Sequence, residues 1–350
     1  MKRKTKYDTP VYPTMKKTTD QKLSGGNKAD MQKNRSIYQY KGLAIICIVF
    51  SHSVNRTSFT AVDRIMNEAV LVVGTIGVPI FAIISGLLLN RDKSARLFWK
   101  SRFFSTVICW FFWGTLVWAY EVIRKGLSYY RWDKWILGDG TYFWYMRALV
   151  VAWLVFRCCR FKHAVTVILI TSLIVRIFLF DIRLIEVDSQ FVKDIVALMP
   201  FFAIGAFLRE RQGIMEWFSK DKPYFFNASL LLFSTVFVAL TLWMKDERFN
   251  IANRFYILFQ FGVMVYIGML MRYLSQSRFL EELGKRSFLI YLLHFPFAGI
   301  MSNLFSRNRF LALFVFVHPV ITLLFMYIVT GLLLEWGKKN RIIGLVTGGR

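Results

Sequence analysis

Residues 37–57 read IYQYKGLAIICIVFSHSVNRT. Positions 43–50 are apolar without a break, flanked by Lys41 and His52, and no alternation of polar and apolar residues marks a half-buried strand. A helix rises about 1.5 Å per residue, so about 20 residues of this kind cross the roughly 30 Å hydrocarbon core of a bilayer. Working outward, the same test picks out 69–89, 99–123, 142–159, 163–180, 191–208, 224–244, 251–274, 286–304 and 311–335. The expectation is an all-α, polytopic membrane bundle of about ten transmembrane helices. A membrane β-barrel would show segments of about ten residues with alternating polarity, which these runs lack.

Composition agrees with lipid as the main solvent. Hydrophobic residues are 56% of the 350 and charged residues 19%, far from the balance of a soluble domain. The 35 Phe and 11 Trp suit a lipid-facing surface with aromatic belts. A formal charge of +25 would suggest nucleic acid in a soluble protein, but here the basic residues lie between apolar runs and form no single stripe. Their distribution sets topology instead. Roughly two-thirds of the Lys and Arg fall in the N-terminal tail, alternate links and the C-terminus, which places both termini in the cytoplasm. Cys47, Cys109, Cys158 and Cys159 sit in apolar runs without CxxC spacing, so neither a disulfide framework nor a metal site is expected. Residues 1–36 are polar and basic and read as a disordered cytoplasmic tail that can lie on anionic lipid. The membrane domain spans 37–335, and 336–350 form a short cytoplasmic tail.

Polar groups within such helices are costly, and those that remain are candidates for function. They are Lys41, His52, Ser85, Arg147, Arg176, His294 and His318. Lys41 and His52 are eleven residues apart, which on a helix is about 20° past three full turns and about 16 Å along the axis. They share one face, Lys41 near the cytoplasmic surface and His52 toward the outer half.

The run YKGLAIICIVFSHS (40–53), with a basic residue eleven positions before a histidine, resembles the first helix of the acyltransferase 3 family of multi-pass membrane acyltransferases. GVPIFAIISGLLL (77–89) is similar to that family's second-helix segment ending in Ser-Gly, here Ser85 and Gly86. FWYMRALV (143–150), PFFAIGAFLRE (200–210) and SFLIYLLHFP (287–296) resemble its later segments in the same order. Lys41 stands where many members have Arg, so a forked, bidentate contact is not available at that position. The resemblance runs from about residue 36 to residue 335. It implies transfer of an acyl group, usually acetyl, from cytoplasmic acyl-CoA to a sugar hydroxyl on a surface or envelope glycan or its lipid-linked precursor, in a bacterial plasma membrane.

The residues themselves fit that chemistry. Imidazole can take a hydroxyl proton near neutral pH, and His52 is the candidate general base, with Lys41 organising the cytoplasmic end of the path. His294 either positions the acceptor or the acyl carbonyl, or bonds across helices. His318 precedes Pro319 and reads as satisfying backbone freed at a kink. Arg91, Lys93, Arg96, Lys100 and Arg102 form a basic link that serves either as a site for the CoA phosphates or as a positive-inside anchor. Trp144 and Arg147 are candidates for the acceptor, although Arg147 could equally snorkel to headgroups, as Arg176 is expected to do. Asp181, Glu186 and Asp188 suit either a carbohydrate or a solvated loop. Ser85 is either a covalent relay or a small residue for close packing beside Gly86. The implied partners are a glycan acceptor and membrane lipids, without nucleic acid, and the oligomeric state is not encoded in any of these features. The rival class is a glycan transporter or flippase, which would move the same ligand without acylating it. A glycan polymerase or ligase ranks third, for want of a long outer loop.

Overall fold

In lipid every backbone polar group must be satisfied within its own segment, and the chain meets that demand with helices. The computed structural model describes residues 25–53, 70, 74–92, 94–126, 131–181, 187–211, 224–243, 256–274, 277–306 and 317–348, and no strand occurs among them. In chain order the helices are α1 (Gly25–His52), α2 (Gly77–Leu87), α3 (Ala95–Lys125, with a π-helical stretch Phe103–Val107), α4 (Trp132–Ile136), α5 (Trp144–Cys158) and α6 (Ala164–Arg176). They continue with α7 (Gln190–Glu210), α8 (Tyr224–Trp243), α9 (Tyr256–Leu274), α10 (Arg278–Ser306), α11 (Val317–Lys339) and α12 (Arg341–Val346). Each apolar run read from the sequence contains a helix.

Among the described residues four segments are long and apolar enough to cross a bilayer by themselves: Ala95–Lys125, Gln190–Glu210, Arg278–Leu304 and Val317–Lys339. Of the other apolar helices, α8 at 20 residues and α9 at 19 come close to the roughly 20 that a perpendicular span needs, whereas α5, at 15, falls short. Helix α1 begins well before the apolar run. It takes in residues 25–36, which read as tail in the sequence but contain Lys, Ala, Met, Gln and Arg, all good helix formers. Arg35 is tied to Glu281 of α10 at 3.1 Å.

Two groups of helices carry the core. Helix α1 packs along α10 and touches α2 and α11, while α7 packs against α2, α5 and α6; the α1–α2 contact joins the groups. Glycines allow the closest approaches. A Cβ at Gly42 would lie 2.1 Å from the Leu280 carbonyl oxygen, and one at Gly284 would lie 1.7 Å from that of Tyr38, so α1 and α10 meet backbone to backbone. Gly86 and Gly205 do the same for α2 and α7, facing Phe202 and Ile83. Small residues at such contacts are the usual means of helix association in lipid. On the outside, Leu324, Ile328 and Leu332 of α11 and Phe104, Phe111 and Phe112 of α3 are exposed, a surface suited to acyl chains.

Gly86→Val or Gly205→Val should force α2 and α7 apart and cost at least about 1–3 kcal/mol by overpacking. Gly268→Ala, where an added Cβ meets nothing within 4 Å, should be neutral. Thermal melting of the detergent-solubilised variants checks both outcomes.

Candidate functional site

The face that carries Lys41 and His52 opens into two cavities. The first, about 220 Å³, is lined by Lys41 and Arg102 together with Ser85, Tyr145, Trp153 and Tyr291. The second, about 370 Å³, is lined by His52, Thr141, Tyr142, Trp144, Gln190, Asp194 and Phe295. No residue lines both. Helix periodicity explains how one helix serves two cavities, because eleven residues return nearly the same direction three turns on.

Between the cavities stand three tyrosines. Tyr145 and Tyr291 face the first and Tyr142 the second, with the Tyr291 ring 5.6 Å from Tyr145 and 5.8 Å from Tyr142. The Tyr291 hydroxyl donates to the Tyr142 carbonyl. The Tyr142 hydroxyl donates to the Leu292 carbonyl at 2.8 Å. That carbonyl has no intrahelical donor, because Pro296 lies four residues on in α10 and lacks an N–H. Ser85 Oγ lies 3.3 Å from the Tyr145 hydroxyl, so Ser85 lines the first cavity while its neighbour Gly86 makes the close packing contact.

His52 ends α1 with its ring exposed to the second cavity. His294 is fully buried behind it, ring centres 5.1 Å apart. Its Nδ1 lies 2.8 Å from the Tyr291 carbonyl, and since a carbonyl only accepts, Nδ1 carries the hydrogen. Nε2 is then a bare lone pair, buried without a hydrogen-bond partner among the described residues. Two imidazoles therefore meet at the cavity wall, one open to it and one with an unspent acceptor.

The second cavity also holds a carboxylate that sequence reading missed. Asp194, on the first turns of α7, accepts from Arg147 Nη2 at 2.6 Å and from Gln190 Nε2 at 2.8 Å. The pair is largely shielded from solvent, and the Arg147 guanidinium also lies 4.8 Å from the Phe191 ring. Arg147 thus neither snorkels nor reaches the cavity wall; its charge is committed to Asp194. The signal for Asp194 in the sequence is an acid four residues into an apolar run, which near a span's end also fits an interfacial position.

The basic link divides. Arg102 enters the first cavity, with its guanidinium 5.1 Å from the Trp153 ring and 5.7 Å from the Phe98 ring. Arg91 instead donates to Glu210 at 2.5 Å and to the Cys159 carbonyl at 2.7 Å, fastening the loop before α3 to the ends of α7 and α5. Arg96 and Lys100 are exposed outside the cavity lining. Lys93 and Glu186 lie outside the described residues, as do 1–24 of the tail. Arg176, expected to snorkel, is instead fully buried, because its face of α6 turns toward the interior. His318 bonds the Ala298 carbonyl of α10 at 3.2 Å rather than backbone at a kink. Pro319 falls in the first turn of α11, where no intrahelical bond exists to be lost.

A family model described as an acyltransferase domain matches residues 34–335, well over half of the chain and nearly all of the helical region. No curated protein and no solved structure matches. The family match covers both cavities, the histidine pair and the tyrosines between them, and the chain belongs to the acyltransferase 3 family.

Proposed function

We propose that the protein is a plasma-membrane O-acyltransferase that moves an acyl group, acetyl first among the candidates, from cytoplasmic acyl-CoA to a hydroxyl of a surface glycan or its lipid-linked precursor. The observation that carries this reading is the pair of cavities at the two ends of one helix face, cationic at Lys41 and Arg102, with an imidazole at His52. In this reading about ten helices span the membrane, both termini are cytoplasmic, and the Lys41 cavity opens to the cytoplasm.

CoA brings phosphates, and two cations in a cavity lined by no carboxylate among the described residues suit them. The uncharged pantetheine arm then extends past Tyr145 and Tyr291 toward His52. His52 takes the proton of the acceptor hydroxyl as its oxygen bonds to the thioester carbonyl carbon. Collapse of the tetrahedral intermediate breaks the C–S bond, and the imidazolium returns the proton to the departing thiolate. His294 packs against the His52 ring, centres 5.1 Å apart, and acts as a positioning residue. In this reading Ser85 and Tyr145 line the arm's path, and Ser85 serves passage rather than a covalent intermediate.

One observation favours the alternative, a glycan carrier: two cavities that share no lining residue also suit alternating access. A carrier would leave no label on product when the purified protein is incubated with labelled acetyl-CoA and glycan.

His52→Ala should lower acyl transfer by about 10²–10⁴-fold, the usual contribution of a general base, while the protein still inserts and melts as before. Unchanged activity would sink the role. Lys41→Met and Arg102→Met should each raise the KM for acyl-CoA about tenfold, the equivalent of about 1.4 kcal/mol for a lost charged contact. Arg96→Ala and Lys100→Ala should have smaller effects. Initial-rate kinetics with varied acyl-CoA separate these outcomes.

A further inference from the structure

The two cavities differ in sign as well as position. Among the described residues the His52 cavity is lined by one carboxylate, Asp194, and by no lysine or arginine, the reverse of the Lys41 cavity. We infer that the acceptor is an uncharged sugar, and that Asp194 selects it by accepting hydrogen bonds from its hydroxyls while repelling acidic sugars. This rests on the acyltransferase reading for the reaction but on the cavity alone for the ligand's chemistry.

Volume and lining both fit a sugar. About 370 Å³ lies within the range of small-molecule sites, about 300–1,000 Å³. Trp144, Tyr142 and Phe295 give aromatic surface, with the last two stacked at 4.9 Å and 18°. Flat aromatic faces match the apolar C–H face of a pyranose, and its edge carries the hydroxyls. An ionised carboxylate is acceptor only, with about four lone-pair positions. Arg147 and Gln190 fill one position on each oxygen of Asp194, which leaves capacity on both for two neighbouring hydroxyls.

Charge decides what is excluded. Arg147 would be the natural partner for an acidic sugar, but it lies behind Asp194 and off the cavity wall. A uronic acid or sialic acid entering here would set a second carboxylate on the Asp194 side of the ion pair, nearer to that like charge than to the Arg147 guanidinium behind it. Asp194 is thus the specificity-determining residue. Arg147 and Gln190 are positioning residues, holding both of its oxygens in place.

The test uses the full chain in lipid nanodiscs with methyl glucoside, methyl N-acetylglucosaminide and methyl glucuronide. Binding is read from tryptophan fluorescence, and transfer from labelled acetyl-CoA. At least one neutral glycoside should bind, with the glucuronide about tenfold or more weaker, and the same order should hold for acyl transfer. Asp194→Asn should weaken neutral binding and narrow the gap to the glucuronide, with the KM for acetyl-CoA unchanged. The double variant Arg147→Gln/Asp194→Asn leaves no buried charge unpaired and should behave in the same way, which separates recognition from misfolding. Equal binding of glucoside and glucuronide, no binding of either neutral glycoside, or an unchanged gap in both variants would overturn the inference. Selective binding without transfer would keep it and sink the acyltransferase reading, whereas equal transfer to neutral and acidic sugars would do the reverse.

Discussion

Pro296 deprives the Leu292 carbonyl of its helical donor, and the Tyr142 hydroxyl supplies the missing hydrogen bond. Much of the site hangs on that exchange. A buried carbonyl without a partner costs about 1–3 kcal/mol, so the start of α5 is held against the middle of α10. The same contact sets Tyr142 beside His294, ring centres 5.2 Å apart, and places the Tyr142 backbone where the Tyr291 hydroxyl reaches it. The proline, a liability in an isolated helix, thereby fixes the spacing between the histidine pair and the layer that separates the cavities.

The helices were legible because a lipid span depends on length and polarity, and both are local properties of sequence. The run read as 163–180 and the helical segment Ala164–Asp181 differ by a residue at each end. Lys41 and His52 were legible for a related reason: a helix's own period decides that they share a direction, whatever packs around them. Asp194 was not, since its importance comes from α5 and α7 lying side by side, and nothing within either run states that pairing. Arg91 and Arg102 look alike in the sequence, yet one clamps Glu210 and the other enters a cavity. Which way each turns depends on its position along α3 and the loop before it, a matter of rotation that composition does not encode. The three tyrosines escaped notice because an aromatic residue in a membrane helix is ordinary, and only their convergence from α5, its preceding turn and α10 gives them a role.

The sign of each cavity and the neutrality of what lies between them belong to one design in the proposed reaction. In that reaction Lys41 and Arg102 would hold the anion where it enters, and the same cavity also offers Tyr145, Tyr291, Ser85 and Phe81, none of them charged at neutral pH. A phosphate-bearing head gains nothing by moving in among these four, whereas an uncharged thioester arm loses little. Asp194 on the far side adds a second reason for the head to stay behind, since it faces any advancing anion with like charge. The same separation would hold for the acceptor, because among the described residues no lysine or arginine lines the cavity in which it would meet Asp194 and His52. Under the proposed reaction the reactants would be sorted by charge before they meet, and only their uncharged reacting ends, a thioester and an alcohol, would have cause to share the space beside the imidazole.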